Sequence, residues 1–149
     1  MAKQTSKEIT LLGWREWLSL PELGIEKIKA KVDTGARSSA LHAENIQTFT
    51  KDDKTWLRFI IHPIQKDDET KILAEAPLLE YREVRSSSGH SEERPVVTTR
   101  VSLGEMNWQI ELTLTQRDEM GFRMLLGRQA IKQGFLVNPN KSFLKGKKL

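Results

Sequence analysis

The 149-residue chain contains no cysteine. Disulfides, cysteine-based zinc fingers, iron–sulfur clusters and thiol catalysis are therefore excluded. Long apolar runs are missing too. The longest stretches, residues 57–61 and 124–126, are interrupted or short, well under the roughly 20 residues of a membrane-spanning helix. The opening Met1-Ala2-Lys3-Gln4-Thr5-Ser6-Lys7 has no apolar centre of a secretory signal. The expected compartment is the reducing cytoplasm. Charge of one sign is also scarce, because 24 Lys and Arg oppose 20 Asp and Glu for a net +4. The isoelectric point near 9.4 permits an acidic partner, yet basic residues cluster only at the tail, so nucleic acid is not the leading partner. No glycine-rich phosphate loop occurs, and no cofactor is expected. Only His42, His62 and His90 are available as imidazoles, without a His-Glu-x-x-His spacing, so no metal site is assigned. His42 with Glu44 reads as a hydrogen-bonded structural pair.

What is present is a balanced globular composition, 38% apolar and 30% charged. The length fits one domain, and the expected division is a polar extension 1–8, a domain 9–144 and a basic tail 145–149. Short strands dominate. Ile28-Lys29-Ala30-Lys31-Val32 alternates with period two, as does 108–115. A second strand covers 56–61 and a third covers 71–84, broken at Pro77. Residues 95–103 and 108–115 form a hairpin around Gly104. Residues 85–94 hold no apolar side chain and read as a solvated loop or hairpin tip. One helix is expected at 128–133, between Gly127 and Gly134, followed by a strand at 135–137. The four tryptophans read as core or interface anchors.

The chemistry-bearing stretch is Lys31-Val32-Asp33-Thr34-Gly35-Ala36-Arg37-Ser38-Ser39-Ala40-Leu41. A strand end fixes Asp33, and Thr34 offers a hydroxyl to lock neighbouring backbone. Gly35 turns the chain tightly with no Cβ beside the carboxylate, and Ala36 keeps the floor small. Arg123-Met124-Leu125-Leu126-Gly127-Arg128 is an apolar strand ending in glycine at a helix start.

Together these segments resemble the retropepsin-like aspartic peptidases. The nearer resemblance is to a bacterial family that carries the label ATP-dependent zinc protease and is associated with RimK-type glutamate ligases. Arg94-Pro95-Val96-Val97, Phe122 to Arg128 and Asn138-Pro139 extend the match over most of the chain. The resemblance implies an all-β, closed-barrel fold with one short C-terminal helix. It implies a peptide-hydrolysing site with Asp33 as the catalytic acid/base, supported by Thr34 and Gly35. Ala36, Arg37 and Arg128 would border the substrate, and the tip with Ser88, Gly89 and His90 would be a flap. Two carboxylates must share a water in this chemistry, one ionised and one protonated. No second Asp-Thr/Ser-Gly exists here, so the expected enzyme is a homodimer with one Asp33 from each copy. Residues 9–12 and Phe143-Leu144 are its interface candidates.

One departure stands out. Arg37 occupies a place where retroviral-type enzymes carry an aspartate that pairs with the arginine after the second-motif glycine, here Arg128. Either a glutamate or carbonyl satisfies Arg37, or Arg37 and Arg128 present forks to substrate carboxylates, which suits a glutamate-rich tail. A catalytically silent peptide-binding module and a metal-dependent hydrolase are the competing readings.

Overall fold

Alternating burial makes strands of most of this chain. The structure is a computed structural model that describes residues 9–65, 67, 69–85, 89–116, 121–131 and 134–146. The strands are β1 (Thr10–Gly13), β2 (Arg15–Leu20), β3 (Ile25–Asp33), β4 (Ser39–His42), β5 (Glu44–Lys51) and β6 (Lys54–Ile61). They continue as β7 (Ile72–Arg85), β8 (Ser91–Leu103), β9 (Met106–Thr115), β10 (Met124–Gly127) and β11 (Phe135–Asn138). Helix α1 (Arg128–Ile131) follows β10 directly. Of the helix expected at 128–133, residues 132 and 133 lie outside the described set.

Nine strands join in the order β2-β3-β10-β4-β9-β8-β7-β6-β5. A further pairing, Ser19 opposite Ser102, joins β2 to β8 and closes the first six into a ring. β10 runs parallel to β3 and antiparallel to β4, and β4 runs parallel to β9. β1 and β11 form a separate parallel pair. The all-β fold with one short helix stands, and no helix among the described residues is long and apolar enough to cross a membrane.

The core gathers Leu18, Leu20, Ile28, Ala30, Leu41, Val101, Leu112, Leu114 and Leu126 inside, with Leu57 and Phe59 on the β6 arm. Burying each large aliphatic side chain contributes roughly 1.5–3 kcal/mol. Lys27, Lys29 and Lys31 alternate with them on β3 and are only half-buried. Arg15 lies over the rings of Trp14 and Phe143, and Lys29 over those of Trp17 and Phe122.

Several sequence expectations need correction. β7 is not broken at Pro77. The strand runs through it, and Pro77 marks where β7 exchanges one partner for another. Pairing with β6 ends at Trp56↔Pro77, and pairing with β8 begins at Leu78↔Val97. A residue lacking an N–H is tolerated at that hand-over. The polar run 85–94, expected as a loop or hairpin tip, joins the two long strands: Arg85 ends β7, Ser91 to Arg94 open β8, Gly89 and His90 are exposed between them, and residues 86–88 lie outside the described set. The hairpin turn after β8 is only Gly104-Glu105, with Gly104 at φ +61° as a two-residue turn of this hand requires. Of the basic tail expected at 145–149, residues 147–149 lie outside the described set. Lys145 is exposed, but Gly146 is buried against Trp17, whose N–H donates to the Gly146 carbonyl at 2.9 Å. Phe143 stacks on Trp17 of its own chain, whereas Ile9, Leu11 and Leu136 stay exposed on the β1–β11 pair.

Candidate active site

Asp33 ends β3 directly opposite Gly127 of the parallel strand β10. The loop after Asp33 turns back over β10. Gly35 N–H donates to Asp33 Oδ1 at 3.0 Å, and Ala36 N–H donates to the Asp33 carbonyl at 3.2 Å. The first bond orients the carboxylate from its own loop, and the second closes the backbone turn. The loop is then sewn to the start of α1. Arg128 N–H donates to the Ala36 carbonyl at 2.8 Å, and Gln129 N–H to the Arg37 carbonyl at 3.1 Å. Gly127 N–H donates to Ser39 Oγ at 3.0 Å. Arg128 Nη1 donates to the carbonyls of Thr34 and Gly35, each at 3.3 Å. The short helix thus secures the catalytic-type turn through backbone contacts.

A cleft of about 1310 Å³ opens beside this turn. Asp33, Gly35, Ala36 and Arg37 form one wall, and Trp108, Ile110, Leu125 and Ala130 contribute apolar floor. The stems of the β7–β8 hairpin, including Arg82, Val84, Arg85 and Arg94, supply the facing wall. Trp108 is held in place by its indole N–H, which donates to the Ala130 carbonyl at 3.0 Å. Arg82 Nη2 donates to Glu111 Oε1 at 3.0 Å and also bonds Glu80. Those carboxylates, Glu80 foremost, raise the Arg82 pKa above its ordinary value.

The structure therefore brings Asp33, Gly35, Ala36 and Arg37 to one cleft. Thr34 sits at the exposed apex of the turn, outside the lining. Arg128 also lies outside the lining, with Nη1 on loop carbonyls. Gly89 and His90 are exposed at the hairpin tip and do not line the cleft, and Ser88 lies outside the described residues. Arg37 is exposed at the cleft wall. Other described aspartates serve turns. Asp52 and Asp53 both take positive φ between β5 and β6, and Asp67 accepts from Glu69 N–H and both Thr70 donors.

Sequence reasoning missed Arg94 as a cleft residue. It is only 5% exposed, lines the cleft, and donates from Nε to Glu92 Oε1 at 3.1 Å. The same oxygen accepts from Thr115 Oγ1 at 3.2 Å. The faint signal was Arg94 standing immediately before Pro95-Val96-Val97, at the apolar end of the polar run. Elsewhere, Glu44 lies between His62 Nε2 at 3.1 Å and His42 Nε2 at 3.4 Å. Among the described residues, no group of three His, Asp or Glu side chains is arranged to hold a metal ion.

A ring of strands with a single Asp-Thr-Gly turn beside a cleft walled by the β7–β8 hairpin has the architecture of a retropepsin-like protein. Residues 11–148 match the family model "RimB-like: Retropepsin-like aspartic endopeptidase RimB", and the chain belongs to that family. It is 46% identical over 139 residues to a probable alpha-L-glutamate ligase of Desulfotalea psychrophila, covering 93% of this chain. It is 51% identical over 132 residues to a protein of the same description from Parasynechococcus marenigrum, covering 89% of this chain. The chain spans only 30% and 28% of those two relatives. The crystal structure of a Legionella pneumophila protein of unknown function (DUF785) superposes with a TM-score of 0.74 at 29% identity. That match covers 91% of this chain and 97% of the Legionella chain.

Proposed function

We propose that this chain is an aspartic endopeptidase whose site is completed by a second copy, with Asp33 meeting the partner's Asp33 at a two-fold axis. The observation that carries this reading is the single carboxylate of Asp33, fixed by Gly35 N–H and standing at the edge of a large cleft. One carboxylate cannot hold a water and polarise a carbonyl in opposite protonation states, whereas two facing ones can. The ionised member takes the proton of the attacking water. The protonated member donates to the scissile carbonyl oxygen as it gains charge. Thr34 at the exposed apex would brace the paired turns, and the β7–β8 hairpin would close over the peptide and exclude water.

For substrate we propose an acidic, glutamate-rich protein tail in the context of a glutamate-ligase system. Support comes from the description of the relatives as probable alpha-L-glutamate ligases and from the exposed Arg37 at the cleft wall. Glutamate-rich and neutral peptides of equal length, offered to wild type and to Asp33→Asn, test the reading. Wild type should run as a dimer and cleave the acidic peptide, and Asp33→Asn should remain dimeric and lose cleavage. An Asp33→Asn dimer that still cleaves, or a wild type that is monomeric while active, overturns the mechanism. Tight binding by wild type without turnover makes the chain a peptide-binding module instead.

A further inference from the structure

Resting on the reading of this cleft as a peptide site for acidic tails, we propose that Arg94 is its specificity-determining residue and takes the carboxylate of one particular glutamate of the substrate. Four arginines line the cleft: Arg37, Arg82, Arg85 and Arg94. They are not equivalent. Arg37 and Arg85 are exposed, so water and salt screen whatever they attract. Arg82 is already engaged. Its guanidinium bonds Glu80 and Glu111, which also neutralises those two cleft carboxylates. Glu83, the remaining glutamate of the lining, is exposed and screened in the same way as Arg37.

Arg94 differs on each count. It is only 5% exposed, yet it borders the same cleft as Asp33. Its Nε donates to Glu92 Oε1 at 3.1 Å, and Thr115 Oγ1 donates to that same oxygen at 3.2 Å. Among the described residues this is the side chain's one hydrogen bond. It uses one of the five guanidinium donors and sets the plane of the group. Nη1 and Nη2 remain as the planar fork that fits a carboxylate two bonds at a time. Charge favours a carboxylate over a neutral group there. Arg94 stands directly opposite Arg82 in the β7–β8 register, and like charges so placed repel. A substrate carboxylate on Arg94 relieves that repulsion, and a neutral amide does not. A buried fork deprived of its carboxylate also keeps unsatisfied donors, so losing that one glutamate is penalised more than losing any exposed contact. Arg37 then attracts acidic peptides in general, and Arg94 reads a single position.

A glutamate-rich peptide with each glutamate replaced in turn by glutamine, offered to the full chain, tests this. The wild-type kcat/KM should fall about 10–100-fold at one position and only slightly at the others. In Arg94→Gln that position should lose its preference while the lesser ones persist. Arg94→Lys keeps a charge for Glu92 and loses the fork, so it should retain only part of the preference, and it serves should Arg94→Gln fail to fold. Added salt should weaken the effect of Arg37→Ala and leave the position read by Arg94 in place. Equal preference at every position, or one dominant position that survives both Arg94 replacements, overturns the proposal. Calorimetric titration of the same peptides onto Asp33→Asn, with and without the Arg94 replacement, separates this proposal from the peptidase reading. Arg94-dependent discrimination in binding, with no cleavage by wild type, upholds the role of Arg94 and removes the peptidase. Cleavage without any dependence on Arg94 does the reverse, and neither binding nor cleavage of the acidic series removes both.

Discussion

Gly127 and Asp33 face one another in the parallel register of β10 on β3, and the chain leaving Asp33 passes immediately over Gly127. A Cβ on Gly127 would stand 2.6 Å from the carbonyl carbon and oxygen of Ser38 and 3.0 Å from the Ala36 oxygen. Both neighbours are backbone of the loop that aims the carboxylate. Gly127→Ala therefore forces the turn and not a flexible side chain to move. The expected cost is about 1–3 kcal/mol in urea unfolding, the usual range for overpacking. Cleavage by the folded fraction should fall further than that loss of folded protein accounts for. A variant with wild-type stability and wild-type rate would show that the turn tolerates the methyl group.

Glu16 is a second constraint that links distant parts of the chain. Its carboxylate is fully buried and accepts four backbone N–H groups: Gly13 at 2.6 Å, Leu144 and Lys145 at 3.0 Å each, and Gly146 at 2.6 Å. It fastens the segment around Phe143 to the bend between β1 and β2. Glu16→Gln offers one acceptor oxygen in place of two and turns an NH₂ towards backbone donors. Each buried donor left unsatisfied costs roughly 1–3 kcal/mol. The variant should lose about 3 kcal/mol or more, and trypsin should cut at Lys141 or Lys145 well before the rest of the domain. Unchanged stability together with an uncut C-terminal segment would refute the latch.

How much of this was legible in advance follows from the range of each interaction. The Asp-Thr-Gly-Ala turn is local, so its residues announced the carboxylate and its glycine. β10 and α1 were likewise visible as an apolar run broken by Gly127. Arg94 was not, because its burial depends on β8 bringing it beside Thr115 of β9, a contact between residues well apart in sequence. Glu16 reads as one charge in an alternating strand, and its donors lie up to 130 positions away. Pro77 misled for a related reason. Proline does interrupt a ladder, but here the ladder changes partner at that residue. For Arg37 and Arg128 the sequence left open either a glutamate or carbonyl partner for Arg37 or a pair of forks for substrate, because the local pattern does not reveal that Arg128 Nη1 reaches the carbonyls of the loop beside it.

Part of the acid sensitivity should arise at Glu44. Its carboxyl titrates below its ordinary value of 4.5, first because His62 hydrogen-bonds it, with burial opposing and His42 adding a smaller effect in the same direction. A carboxylate whose folded pKa is depressed adds stability that is fully present above the unfolded value. That stability is lost as the pH falls through the lower, folded value. The bonds it makes join β5 to the end of β4 and to His62, whose Nδ1 lies 3.3 Å from the Thr70 carbonyl. Urea midpoints of wild type and Glu44→Gln measured along a descending pH series should therefore differ most above pH 4.5. The two curves should converge below it as wild-type Glu44 takes up its proton. Because the Glu44 side chain is 46% exposed, added salt should narrow the gap at the higher pH. A gap that stays constant through the acid range would mean that Glu44 acts there by shape alone, and its charge would then have no part in holding the corner.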